Sequence, residues 1–267
     1  MKKHKVKIAC LQTTSSKDPQ KNMSMLEQLF EKVSSNFDLI CLPECVAIFS
    51  DNKKDLDFFS KKYRESFFNL ITFYAKKKKS AILVGSVPEK LNSLKFVNRS
   101  YIFNAKGVQK SSYDKINLFD VNLNKNEKYL ESKNYMAGKK LVVSDLLWGK
   151  LGMSICYDLR FPNLYRKLSK KGSIFLSIPS AFTETTGKKH WHTLLKARAI
   201  ENFSYVFAPA QGGTHYNGRK TFGHSLIISP DGKILKELKK NQGIITAKID
   251  QNFPKKLRAR IPSLKND

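Results

Sequence analysis

The chain has 267 residues, 41% of them hydrophobic and 11% aromatic, enough to bury a sizeable core and too apolar for a disordered segment. Its 49 Lys and Arg against 22 Asp and Glu give a net charge of +27, yet only eight are arginines, and the lysines run from end to end with no run denser than 76–79. Specific nucleic-acid readers lean on arginine forks, so the charge reads as a solvated lysine-rich surface that attracts acidic small molecules, with no nucleic-acid partner.

In chain order, short apolar or β-branched runs bounded by turn residues predict strands over 6–11, 37–42 and 81–87. Between the first two, Leu26, Leu29, Phe30 and Val33 recur at helical spacing behind a start signal at Asp18-Pro19. Before the third, Phe59, Tyr63, Phe67, Leu70 and Tyr74 form a second helical face. Strands over 151–156, 173–178 and 205–210 follow, with helices over 163–169 and 186–202 between them. Strands over 225–229 and 243–249 close the series, and "SPDG" at 229–232 is a hairpin turn. Strand–helix alternation giving way to hairpins predicts an α/β fold with a mixed sheet or two packed sheets, in one domain spanning 1–267.

Four cysteines (Cys10, Cys41, Cys45 and Cys156) are too few for a disulfide framework in a chain this long, and three lie in or beside apolar runs. "MKKHKVKIACLQ" lacks a signal-peptide core, and no apolar run nears the ~20 residues that span a bilayer. The expectation is a cytoplasmic chain with no membrane partner.

Three positions carry chemistry. Cys156 ends an apolar run and is followed at once by Tyr157-Asp158-Leu159-Arg160. A strand-to-helix turn would expose its sulfur, offer the Tyr157 N–H to an oxyanion, and favour the thiolate. The competing reading is a small core cysteine. Glu44, in "LPEC", follows a strand that Pro43 stops, so its carboxylate could turn into a cleft, with a raised pKa, and take the thiol proton. By itself a solvated loop glutamate is the stronger reading. Lys115 sits among Ile116, Leu118 and Phe119 and could hold a developing oxyanion, although any one lysine in so basic a chain is a weak signal.

Taken together, Glu44, Lys115 and Cys156 resemble the nitrilase superfamily of carbon–nitrogen hydrolases. The likeness runs through "VKIACLQ", "LPE", "YDKINLFD", "GMSICYDLRFPNLY", "KHWHTLLKARAIEN", "APAQGGTH" and "GRKTFGHSLIISPDG", essentially the whole chain. The resemblance implies Glu44 as general base, Lys115 as the stabilising cation, Cys156 as nucleophile and Glu131, in "YLESKN", as an assisting glutamate. It implies a four-layer αββα sandwich, two mixed β-sheets face to face with helices outside, assembled as a homodimer or higher homo-oligomer, and no cofactor or metal. The implied reaction is hydrolysis of a linear carboxamide to acid and ammonia through a cysteine thioester. "CYD" rather than "CWE" resembles the amidase branches, and the threonine-rich run before "GKKHWHTLLKARAIEN" resembles the branch that repairs deaminated glutathione. The alternatives are an ω-amidase acting on 2-oxoglutaramate or 2-oxosuccinamate and an N-carbamoyl amide hydrolase. Asn117, where many relatives carry His, bears on substrate fit, and "SPDG" replaces a common Pro-Trp-Gly.

A small-molecule amide bearing carboxylates needs cations or donors, and the candidates are Thr183, Thr186, His215 and Arg219. Asp158 and Arg160 are expected to pair locally and brace the turn at Cys156. Arg198 and Glu201 suit a helical ion pair. His190 and His192, two apart on a helix, face different ways and make a poor metal pair, and Cys41 and Cys45 lack nearby histidines for zinc. Two rivals lie outside this class: a nucleic-acid binder argued from charge, and a catalytically silent scaffold, which the four filled catalytic positions oppose.

Overall fold

The computed structural model describes residues 5–125 and 127–265. Its backbone forms two six-stranded sheets and two short hairpins. The first sheet runs, edge to edge, Gly243–Asp250, Lys5–Gln12, Leu39–Cys41, Ala81–Lys90, Phe96–Phe103 and Gln109–Asp114. Its three central strands are parallel and the outer pairings antiparallel. The second sheet runs Ile234–Glu237, Leu226–Ile228, Tyr205–Ala208, Phe175–Ser177, Gly149–Met153 and Val143–Leu146, again parallel in the middle and antiparallel outside.

Alternation along each strand sorts the layers. Ile8, Cys10, Leu39, Cys41, Leu83 and Ile102 pack in one core with Met153, Leu176, Val206 and Leu226 of the second sheet. Ala9, Leu11, Ile40 and Ile82 point the other way, onto Leu26 and Phe30 of helix Pro19–Lys32 and Phe67 and Ile71 of helix Arg64–Lys78. On the far side, Leu164 and Leu168 of helix Pro162–Lys170 and Trp191 and Leu195 of helix Glu184–Asn202 cover the second sheet. The result is an αββα sandwich of two mixed sheets.

Most predicted strands are present with trimmed ends. Strand 37–42 shortens to Leu39–Cys41, and 151–156 becomes Gly149–Met153, which leaves Cys156 three residues past the ladder. The helical face from Phe59 to Tyr74 is two helices, Lys53–Lys62 and Arg64–Lys78, broken at Tyr63. Strand Phe96–Phe103 and helix Phe253–Arg260 were not anticipated.

The first helix starts where expected because the Asp18 side chain accepts from the N–H groups of Gln20 and Lys21, with Pro19 in the first turn. A buried polar seam ties the sheets at one end. Gln211 accepts from Thr13 Oγ1 and Ser15 N, each at 3.0 Å, and donates to Ser15 Oγ (2.9 Å) and the Glu44 carbonyl (2.8 Å).

Candidate active site

The loops that follow the strands' carboxyl ends meet over one cavity of about 780 Å³. Glu44 lies three residues beyond Leu39–Cys41, Lys115 directly after Gln109–Asp114, and Cys156 three beyond Gly149–Met153. All three line the cavity, with Glu131 of a short 3-10 turn, Asn98 and Arg219.

Glu44 reaches the cavity because the chain folds tightly over its neighbour. At Gly85 a Cβ would overlap the carbonyl oxygens of Leu42 and Pro43, so only glycine lets this loop cross. Both Glu44 oxygens are engaged: Oε1 accepts from Lys115 Nζ and Asn98 Nδ2, each at 3.0 Å, and Oε2 accepts from the Ala181 N–H at 2.8 Å. The Cys156 thiol lines the same cavity near enough to Glu44 for that carboxylate's charge to act on it. Lys115 donates in addition to Glu131 Oε1 (3.2 Å) and Oε2 (2.9 Å). Glu131 is fixed by Asn98 Nδ2 (3.1 Å) and the Phe119 N–H (2.6 Å). One ammonium thus stands between two carboxylates, and both the lysine and Glu44 are almost wholly buried.

Cys156 opens a 3-10 turn, Cys156–Arg160, with φ at +46°, a left-handed conformation that costs a non-glycine residue strain. Cys45, beside Glu44, has φ at +54°. The Cys156 turn is held from beneath by Asp158. That carboxylate accepts from Tyr113 Oη (2.7 Å) and Ile155 N (2.9 Å) on one oxygen, and from Asn117 N (3.0 Å) and Nδ2 (2.8 Å) on the other. The Tyr157 N–H belongs to the first turn of this element, and its ring packs edge-on against Phe119 at 5.2 Å.

Charge assigns the resting protonation states. Burial alone would raise the Glu44 carboxyl, but the Lys115 charge and the donors around it outweigh that and hold it below its ordinary value. Burial would likewise lower Lys115, and the charges of Glu131 and Glu44 reverse this, keeping it cationic. Burial, then the adjacent Glu44 charge, pushes the Cys156 thiol well above its ordinary value. Two expectations are therefore corrected: Glu44 is not raised, and Cys156 is not a resting thiolate. The site holds a neutral thiol against an ionised carboxylate, poised for proton transfer in the same step as attack.

The substrate-binding candidates divide. Arg219 lines the cavity. Thr183 and Thr186 do not: Thr183 caps helix Glu184–Asn202, and the two hydroxyls bond each other at 2.8 Å, both buried. His215 is also inside the fold, stacked on Phe49 at 3.7 Å, with its nitrogens on the Ser15 carbonyl and Thr221 Oγ1, each at 2.8 Å. Burial lowers its pKa to about 4, so it is neutral. Loop position beside glycine suggested access; tertiary packing removed it.

Asp158 and Arg160 do not serve as the expected local pair. Asp158 faces inward to the four donors above, while Arg160 lies over the Phe182 ring (5.1 Å) and meets His190 Nδ1 at 3.3 Å. Asn117 braces Asp158 and is not part of the cavity wall. Arg198 and Glu201 pair as expected, at 2.8 Å. His192 finds partners other than His190: its Nε2 and His224 Nδ1 both reach Glu237 Oε1, at 2.9 and 2.6 Å, a cluster outside the cavity. Asn98, which touches both glutamates, was missed. Its one available signal was an amide inside the otherwise apolar start of strand "FVNRSYIF".

A model of the carbon–nitrogen hydrolase family matches residues 7–259. The chain is 38% identical over 263 residues to a deaminated glutathione amidase of Synechocystis, covering 97% of this chain and 96% of that one. It is 31% identical over 269 residues to omega-amidase NIT3 of Saccharomyces cerevisiae, covering 98% and 92%. Its fold superposes on the crystal structure of the Caenorhabditis elegans NitFhit protein with a TM-score of 0.88 at 34% identity, covering all of this chain and 66% of that one.

Proposed function

Since the chain belongs to the carbon–nitrogen hydrolase family, we propose that it opens deaminated glutathione with Cys156 as nucleophile, Glu44 as base, Lys115 as oxyanion partner and Glu131 as the acid that positions the lysine. It is an amide-hydrolysing enzyme of the nitrilase superfamily. The observation that carries the residue roles is the convergence of a neutral thiol, an ionised carboxylate and a doubly paired ammonium on one cavity wall.

The steps follow from the resting proton positions. Glu44 takes the Cys156 proton as sulfur attacks the amide carbonyl. The oxyanion is received by Lys115 and the Tyr157 N–H. Protonated Glu44 then gives its proton to the amide nitrogen, the C–N bond breaks, and a thioester remains on Cys156. Water, deprotonated by Glu44, attacks the thioester; the acid departs and the sulfur regains a proton.

Deaminated glutathione and 2-oxoglutaramate share a 2-oxoglutaryl acyl group and differ in what leaves. From the first, cleavage of that acyl amide releases cysteinylglycine, which corrects the expected ammonia, because the scissile nitrogen belongs to the cysteine; from the second, ammonia. A cavity of about 780 Å³ is roomy for the tripeptide-sized molecule and would be mostly empty around the small one, which favours the larger substrate. Lys53, Lys54, Lys128 and Lys133 also line it, suiting a substrate with a distal carboxylate.

The test is side-by-side kcat/KM for the two amides, read by cysteinylglycine and ammonia release, with intact-mass detection of an acyl adduct on Cys156. Preference for 2-oxoglutaramate would move the chain to the ω-amidase reading. Turnover surviving in Cys156→Ser would end the nucleophile assignment.

A further inference from the structure

Arg219 is held as few surface arginines are. Its guanidinium lies between two aromatic faces, 5.0 Å from the Phe49 ring centre and 4.6 Å from that of Tyr129. Phe49 is itself backed by the neutral His215 ring, which is pinned at both nitrogens. The stack fixes the plane of the guanidinium before any ligand arrives, so little side-chain entropy is left to lose.

Its donors are largely unspent. Nη2 donates to the Ala181 carbonyl at 3.2 Å, while Nε is buried with no partner. A buried N–H without an acceptor is costly unless something else completes it. Among the described residues, no carboxylate pairs with this cation. The buried Lys115 of the same cavity is already committed to Glu44 and Glu131. Ala181 links the two regions: its carbonyl steadies Arg219, and its N–H binds the Glu44 carboxylate.

We propose that Arg219 is the carboxylate receptor of this cavity, taking the carboxylate of the acyl half of the substrate on its free guanidinium edge and so selecting anionic over neutral amides. The planar, pre-oriented fork keeps Nη1 without a partner among the described residues and Nη2 on a single 3.2 Å bond, a pair of donors that matches a carboxylate's two oxygens, which a lysine at the same place could not do. The inference rests on the amidase reading above and specifies its substrate as an acyl amide with a carboxylate at a fixed reach from the carbonyl.

The experiment compares 2-oxoglutaramate with pentanamide, a neutral amide of the same chain length, in wild type, Arg219→Met and Arg219→Lys. The expected result is a loss of at least about 100-fold in kcat/KM for the anionic amide in Arg219→Met, carried by KM, with pentanamide changed by less than about threefold. Arg219→Lys, which keeps the charge and loses the fork, should fall between. A parallel loss on both amides with a rise in neither KM, or no loss on the anionic one, overturns the proposal. Binding of 2-oxoglutarate to Cys156→Ala protein, with and without Arg219→Met, separates this idea from the proposed activity. If the dicarboxylate binds and Arg219→Met abolishes it while wild type cleaves neither deaminated glutathione nor either amide, the receptor stands and the activity falls; if wild type cleaves deaminated glutathione or 2-oxoglutaramate but binding ignores Arg219, the reverse holds.

Discussion

The Lys115 ammonium stands 3.0 Å from Glu44 Oε1, with the lysine side chain 2% and the glutamate side chain 5% exposed. In so dry a setting the pair sets which state each partner occupies. Burial acting alone would protonate Glu44, and the lysine prevents it. The wild-type acid limb of kcat/KM should therefore lie below 4.5, the ordinary carboxyl value, and the profile should stay flat through neutrality, because Cys156 is displaced far above 9.0. In Lys115→Met the counter-charge is gone, so the acid limb should move upward toward neutral pH. The rate on the flat part should fall by about 100-fold or more, the worth of an oxyanion donor. A pH–rate profile of both proteins checks the direction of the move.

Gly85 offers a purely steric test of how Glu44 is delivered. An alanine there drives its methyl into the Leu42 and Pro43 carbonyls, which are backbone and cannot swing aside. Gly85→Ala should cost about 1–3 kcal/mol by overpacking and displace the Glu44 loop. The expected readout is a lower melting temperature together with a kcat loss that persists when the protein is assayed well below it.

Asp158 is surrounded by donors alone: Tyr113 Oη, Ile155 N and two N–H groups of Asn117. Asp158→Asn turns one acceptor into a donor pointed at donors. The cost should be about 1–3 kcal/mol, and the Cys156 turn should loosen with it. Urea unfolding gives the first quantity, and the rate of Cys156 alkylation the second.

His215 predicts a stability change with pH that is unrelated to catalysis. Its folded pKa, about 4, lies below the ordinary imidazole value of 6.5, so the unfolded chain binds the proton more readily. Stability from this residue is fully present above 6.5 and is lost as pH falls from there toward 4. The difference between the two states is worth roughly 3 kcal/mol at most. The urea midpoint should drop across that window in wild type and drop less in His215→Gln.

The residues proposed to bear the chemistry each follow their own apolar run, and the alternation of those runs also announced the sheets. Taken singly, Glu44, Lys115 and Cys156 were weak signals, and only the resemblance to the nitrilase superfamily joined them into one set. What could not be read was orientation within loops. Thr183 and His215 sit in polar, glycine-rich company, yet one caps a helix and the other is walled in by Phe49, contacts made across long stretches of chain. The protonation states escaped for the same reason. Whether Glu44 is raised or lowered depends on a lysine 71 positions later in sequence and 3.0 Å away in space.

The left-handed backbone at Cys156 also acts on stability. Alanine and serine carry the same β-carbon into that conformation; glycine alone escapes it. At an ordinary buried position glycine is the poorer choice for stability, whereas here Cys156→Gly should be at least as stable to heat as Cys156→Ala. Relief of a left-handed strain of about 1–2 kcal/mol offsets the roughly 0.4–1 kcal/mol glycine loses through the unfolded chain. A side chain in this left-handed backbone thus costs the fold stability, a cost that fits the nucleophile role proposed for its sulfur.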